Sequence, residues 1–431
     1  MNELAHLKRL AAVKTNAGIK FLTPAAFPGN HCPLHTALAL SSNIEGMSTL
    51  VVGTAECATY SRNVIYKSEH RDSGLHWVYV LDSNEVVFGC RTGLTKALRS
   101  MSEAGARAIM LIFTCVPEVI GEDGESIVQE LQPELEAKLC FVALGHFKCN
   151  SYPSGFWKTL QAFAGLIEPL VTEPQRINVL GRAPKEEHIP MPQLLTELDK
   201  KGFQLRMLAP GSRMEDFTAA ADARLNLVLS PYMDPLAQRM EEELGIPFFS
   251  LHEIYSVAQI DATLECLARE LSIDWRDSFE VARREALAQE EKARKALGGV
   301  SYITTPRNPL PPLPLAAYLS EFHMKPLLLH MEEFYPEDRR HARELLDKNE
   351  NPLLCHMVND KADAAVLEQL APALTLGEIY EGTGSIPEIP YLYELYGQAG
   401  YERTTLLLSR MLTVWEARKA QDRGGNTDGN I

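Results

Sequence analysis

The sequence predicts an α/β protein made of three consecutive parallel-sheet units. Apolar runs of strand length alternate with amphipathic helical segments along the whole chain. Gly202 and Gly245 follow such helical segments, where a residue that closes a helix belongs. Cys32, Cys57 and Cys115 each stand where an apolar run ends and a turn or helix begins. Tips of that kind converge on one edge of a parallel sheet.

The first unit, residues 1–172, carries strand candidates at Ser48–Gly53, Trp77–Val80, Ala108–Thr114 and Leu139–Ala143. A helix over Gly93–Ala104 is bracketed by glycines. The second unit, 173–277, alternates strands at Ile177–Leu180, Gln204–Leu208, Leu225–Leu229 and Ile246–Ser250 with helices at Gln193–Lys201, Asp216–Ala223, Pro235–Leu244 and Ala262–Leu271. A charged helix, ended by Gly298-Gly299, reads as a connector over 278–298. The third unit, 299–420, has strands at Val300–Thr304, Pro326–His330, Pro352–Val358 and Leu374–Ile379. Its helices lie at Asp338–Leu346, Ala362–Leu370 and Tyr401–Lys419, and residues 421–431 read as a disordered polar tail.

Bulk properties narrow the function. The chain has 431 residues, 45% of them hydrophobic, enough for two to four cored domains. A net charge of −15 argues against a nucleic-acid partner, which needs a basic footprint. No run approaches the length of a membrane span, and the N-terminus lacks the apolar core of a signal peptide. Eight cysteines over this length do not suit a secreted disulfide scaffold. The expectation is a cytoplasmic protein with reduced thiols.

Cys32, Cys57 and Cys115 are separated by 25 and 58 residues, too far for a local zinc knuckle. Three convergent thiolates in a reducing compartment suggest a metal site, most plausibly iron–sulfur. The competing reading is three ordinary buried thiols. Cys32 and His35 form a C-x-x-H pair, but no second pair stands at zinc-site spacing. His31 and His35 read as neighbours of the site or surface residues, and Cys140, Cys266 and Cys355 as core. Cys90 reads as a small residue in a tight turn. No Walker A sequence and no Gly-x-Gly-x-x-Gly after a strand occurs, so ATP chemistry is not expected in this chain. No catalytic residue can be assigned.

The contexts of the cysteines carry a resemblance. They are His31-Cys32-Pro33-Leu34; Gly53, Cys57, Tyr60, Ser61 and Arg62; Val87-Phe88-Gly89-Cys90; and Thr114-Cys115 followed by Glu118-Val119-Ile120-Gly121-Glu122-Asp123. In this order they resemble the first domain of component 1 of nitrogenase and its relatives, and the last motif is closest to the β-type subunits. Cys90 stands where the family has a glycine, and Glu122 where it has an aspartate. Met240-Glu241-Glu242 and Gly245-Ile246-Pro247 extend the resemblance into the second unit.

The resemblance implies three Rossmann-like domains and an iron–sulfur cluster held by Cys32, Cys57 and Cys115. The cluster is either 4Fe–4S or a shared 8Fe–7S P-type cluster, with remaining ligands from a second component 1 subunit, identical or homologous. Cys149 or Ser151, in the Gly145–Ser151 loop, is a candidate further ligand. The implied activity is that of a nitrogenase-like oxidoreductase. An ATP-dependent iron protein would deliver electrons through the cluster to a bound substrate or cofactor. Dinitrogen is not the expected substrate. Val228-Leu229-Ser230-Pro231 lacks the cysteine that holds the family's active-site cofactor, and Glu381–Ile389 lacks its histidine. The alternatives are a cofactor-assembly scaffold subunit and a non-catalytic partner subunit of the same fold.

Overall fold

The computed structural model describes residues 4–24, 32–145, 152–184, 186, 189–390 and 392–424. Cys149, Ser151 and His31 lie outside the described residues. So do residues 425–431 of the expected tail, whereas the final helix continues to Gly424. The chain divides into two compact units, one of residues 29–187 with 198–250, the other of 1–28, 188–197 and 251–431.

The unit containing the cysteines holds two four-stranded parallel sheets. In the first, the strands run in the order His76–Val80, Met47–Gly53, Ala108–Phe113 and Lys138–Ala143. Every residue of Met47–Gly53 and of Ala108–Phe113 is buried. A strand covered on both faces reads as a continuous apolar run rather than an alternating one, which is why these two were visible in the sequence. The register sets Val52 opposite Phe113, so both strands end at the same level. The second sheet runs Phe248–Ser250, Ala223–Val228, Glu173–Leu180, Gln204–Leu208. Leu38 and Leu40 of the Pro33–Ser41 helix, Phe163, and Leu236 and Met240 of the Asp234–Leu244 helix share one core with both sheets.

The other unit is built on a seven-stranded sheet whose central strands are Leu353–His356, Lys325–His330, Ser301–Thr304 and Leu374–Leu376. Two strands come from the start of the chain. Lys8–Arg9 pairs antiparallel and Lys20–Phe21 parallel with Leu353–His356. Two-residue strands carry no periodicity, so no sequence pattern announced them. The Glu280–Ala296 helix, read above as a connector, buries Ala286, Ala293 and Glu290 in this unit. Glu290 accepts hydrogen bonds from Val257 N at 3.0 Å and the Tyr318 hydroxyl at 3.2 Å. Residues 306–314, rich in proline, lead into a buried helix, Pro312–Leu319. Proline in a first helical turn costs no hydrogen bond.

Candidate metal-cluster site

Cys57 and Cys115 lie at the carboxyl edge of the first sheet. Cys57 is in the first turn of the Ala55–Ile65 helix, just after the Met47–Gly53 strand. Cys115 opens the Cys115–Val119 helix after the neighbouring Ala108–Phe113 strand. Both expectations of a thiol at a strand tip therefore match the backbone. Cys32 differs. It immediately precedes the Pro33–Ser41 helix and belongs to no strand of this sheet. It reaches the same neighbourhood by helix packing. Cys32, Cys57 and Tyr60 pack as half-buried side chains against one core. The ring of His35, one turn into the Pro33–Ser41 helix, meets the ring of Tyr60 edge-on at 6.2 Å. Burial, and secondarily the sulfur of Cys32, push the Tyr60 hydroxyl above its ordinary range.

Thr114 joins the two strand tips. Its N–H and its hydroxyl both donate to Val52 O, at 3.1 and 2.8 Å. Its Oγ1 also lies 3.7 Å from Cys57 Sγ. Gly53 lets this approach happen. A Cβ there would stand 2.4 Å from Thr114 Oγ1 and 3.0 Å from Cys57 Sγ. Ser61 closes the next turn by donating to Cys57 O at 2.7 Å.

The acidic residues after Cys115 hold backbone. Glu118 accepts from Gly145 N at 2.5 Å, Glu122 from Cys90 N at 2.7 Å, and Asp123 from Ser126 N at 3.0 Å. Sequence reasoning matched these residues to a motif without finding their task, because two of the three bonds span 27 and 32 residues.

The other described cysteines are Cys90, Cys140, Cys266 and Cys355. Cys90 is buried, and its thiol is pushed up to about 12 by burial, then by the Glu122 carboxylate. Cys140 and Cys355 are fully buried thiols with strongly raised pKa values, again from burial. Cys266 is not core, contrary to expectation. It is half-buried, with Arg269 Nη2 at 3.2 Å from its sulfur. Among the described residues, no group of three or more His, Cys, Asp or Glu side chains is gathered around a single metal position. A mononuclear site needs its thiolates ~2.3 Å from one point. A cluster takes them at separate corners.

Beside this edge the surface is apolar. Val87 and Phe88, at the end of the Ser83–Phe88 helix, are 71% and 85% exposed, and Val119 is 67% exposed. The Glu122 bond brings the two segments together, since Gly89 and Cys90 follow Phe88 directly.

Parallel α/β sheets with two thiols at one carboxyl edge define an α/β protein with a candidate cluster-binding edge. The chain belongs to the nitrogenase component 1 type oxidoreductase family, whose model matches residues 32–416. The nitrogenase iron-molybdenum cofactor biosynthesis protein NifE of Sinorhizobium fredii (strain NBRC 101917 / NGR234) is 29% identical over 221 residues, 49% of this chain and 44% of that protein. NifE of Rhodobacter capsulatus is 25% identical over 283 residues, 63% of this chain and 58% of that protein. The chain thus spans about half the length of the curated relatives it matches. The solved structure "Nitrogenase Cp1 at pH 6.5" superposes with a TM-score of 0.65, covering 92% of this chain and 94% of that one, at 17% identity. At that identity the likeness establishes the α/β fold. No helix among the described residues is long and apolar enough to cross a membrane.

Proposed function

We propose that this protein is a cofactor-assembly scaffold subunit of the component 1 type, on which a metal–sulfur cofactor is built or held before transfer. The observation that carries the reading is the site inventory. The thiol edge of the first sheet is present, while the stretches 228–231 and 381–389 lack the cysteine and histidine that would retain an active-site cofactor. The likeness to proteins named for iron-molybdenum cofactor biosynthesis supports the same assignment.

In this reading Cys32, Cys57 and Cys115 hold one face of an iron–sulfur cluster, and a second component 1 subunit completes it. A bound cluster supplies one-electron storage and transfer. The residues described above give it fixed thiols and a shell of pinned backbone. The exposed Val87, Phe88 and Val119 are the face offered to an ATP-dependent iron protein, because aromatic and aliphatic side chains at the centre of a patch anchor transient partners.

A second reading is a nitrogenase-like reductase acting on a substrate other than dinitrogen. The same thiol edge and apolar face favour it, since electron delivery needs both.

Two measurements decide. Iron and acid-labile sulfide are determined on anaerobic protein made with full cluster-assembly support, with an EPR spectrum after dithionite. About four iron per dimer corresponds to one shared cubane, and about eight to a P-type cluster or two cubanes. Iron-free protein would leave a non-catalytic partner subunit. Single against repeated turnover with an iron protein then separates scaffold from reductase.

A further inference from the structure

Residues 4–24 lie outside the stretch 32–416 that the family model matches, yet two of their segments are strands of the seven-stranded sheet. Both strands run along one outer edge. Lys8 and Arg9 pair with Leu354 and Leu353, and Lys20 and Phe21 with Cys355 and His356. Leu10 N donates to Pro352 O and Leu22 N to His356 O, each at 2.9 Å. The inner strands Lys325–His330, Ser301–Thr304 and Leu374–Leu376 pair with one another, so their mutual bonds do not pass through this segment.

Four buried side chains seat it: Leu7, Leu10, Val13 and Leu22. Lys8, Arg9, Lys14 and Lys20 between them are exposed. Leu7 and Leu22 belong to the apolar cluster that holds Cys355, whose exposure is 0%. The strands and helical turns of the segment are only two or three residues long. Such a segment has few bonds of its own, and elements of that kind open before the rest of a fold.

A polar latch closes its end. The buried Thr23 hydroxyl donates to Asp363 Oδ1 at 2.7 Å and accepts from Asn359 Nδ2 at 2.6 Å. Asp363 has a task without Thr23. Its Oδ2 accepts from Val358 N at 2.8 Å and from Asn359 N at 2.9 Å, at the start of the Asp360–Leu370 helix. The latch therefore comes undone on the Thr23 side without loosening that helix. Two asparagines fasten the middle of the segment. Asn16 Oδ1 accepts from Phe334 N at 2.5 Å, and Asn351 Oδ1 from Ala11 N at 3.0 Å.

We infer that residues 4–24 form a releasable strap. Docked, it closes the outer edge of Leu353–His356 and seals Cys355. It lifts as one piece while the inner strands stay paired. An open sheet edge is a template for another strand, so the docked strap also keeps this edge from pairing with a second chain. None of its partners is a candidate cluster ligand.

The test is hydrogen exchange on the full chain, read by mass spectrometry at the bonded amides of Leu10 and Leu22, together with iodoacetamide labelling located by peptide mapping. Those two amides should exchange about tenfold or more faster than the bonded amides of the inner strands. Thr23→Val keeps the shape of the side chain and removes the hydroxyl. It should speed labelling of Cys355 about fivefold or more and leave Cys140, a buried thiol of the other unit, unchanged. Thermal melting checks that the variant is folded, and the exchange measurement on the unaltered protein stands without it. Equal protection of the strap and inner-strand amides would overturn the proposal. So would labelling of both cysteines accelerated together, or of neither.

Discussion

The backbone N–H of Cys90 donates to the Glu122 carboxylate at 2.7 Å, and this one bond fastens the segment after Phe88 to the loop after Cys115. Glu122 also crowds Gly89, where an added Cβ would stand 3.1 Å from its Oε2 at a φ of +89°. The carboxylate thus positions an exposed phenylalanine beside a candidate cluster ligand. It does so from a motif position at which family resemblance expects the shorter aspartate.

Glu122→Gln should keep the Cys90 bond through its amide oxygen and cost little. Glu122→Ala should strand a buried N–H and destabilise by about 1–3 kcal/mol. Removing the carboxylate charge in either variant also lowers the Cys90 pKa, because Glu122 contributes to its elevation after burial. Urea unfolding checks the first effect, and the pH dependence of Cys90 alkylation in partly opened protein checks the second. Equal stability of the two variants would remove Glu122 from its holding role.

Gly53→Ala should be worse than an ordinary glycine substitution. The new Cβ meets Thr114 Oγ1 at 2.4 Å and Cys57 Sγ at 3.0 Å, and Thr114 is itself anchored to the neighbouring strand. Overpacking of this kind costs about 1–3 kcal/mol. Because the displaced atoms include a thiol, iron content should fall along with the melting temperature. A variant that melts like the parent and retains full iron would mean that the strand tips are looser than described.

How much of this could be read from the chain depended on range. The strand at Gln204–Leu208 and the helix ending before Gly245 were legible because period and cap are local, and Gly245 sits at φ +70° as a closing residue should. The Pro33–Ser41 helix was not. Seven of its nine residues are buried, so no polar stripe marks it as a helix. With no helix signal there, the sequence alone places Cys32 at a strand tip. Cys57 and Cys115 each follow a buried β run by a few residues, so their position at a strand end is a local signal. The bonds from Glu118 and Glu122, and the pairing of Thr49 with His76, join distant parts of the chain, so no local pattern reports them.

Acid should unfold the unit that holds Glu253 partly through that residue. His341, a buried imidazole, stands 2.9 Å from Glu253 Oε2 with its Nε2 and 3.1 Å from Glu344 Oε2 with its Nδ1. Burial opposes ionisation of Glu253, but His341, the His252 charge and Arg340 outweigh it and bring the carboxyl to about 2. A carboxylate whose folded pKa is depressed stabilises fully above its unfolded value, about 4.3, and loses that contribution as pH falls towards the folded value. Unfolding midpoints should therefore decline between about pH 4.3 and 2, and Glu253→Gln should be less stable at pH 6 with a shallower decline. Parallel pH profiles for the two proteins would exclude this linkage.

The ligand assignment makes a sharper demand. Cys57→Ala and Cys115→Ala each remove one thiolate from the carboxyl edge of the first sheet, and each should abolish the cluster's EPR signal and most of the iron. Cys266→Ala should leave both unchanged, because that sulfur is half-buried beside Arg269 in the other unit. Cys140→Ala is the stricter control. Its thiol is in the same sheet, packed within 3.8 Å of Ile109 O and 3.6 Å of the Met110 sulfur. Its loss should lower stability by roughly 1 kcal/mol through a small cavity while iron stays bound. Iron retained by the Cys57 and Cys115 variants, or lost by Cys140→Ala at temperatures where it is folded, would place the metal elsewhere.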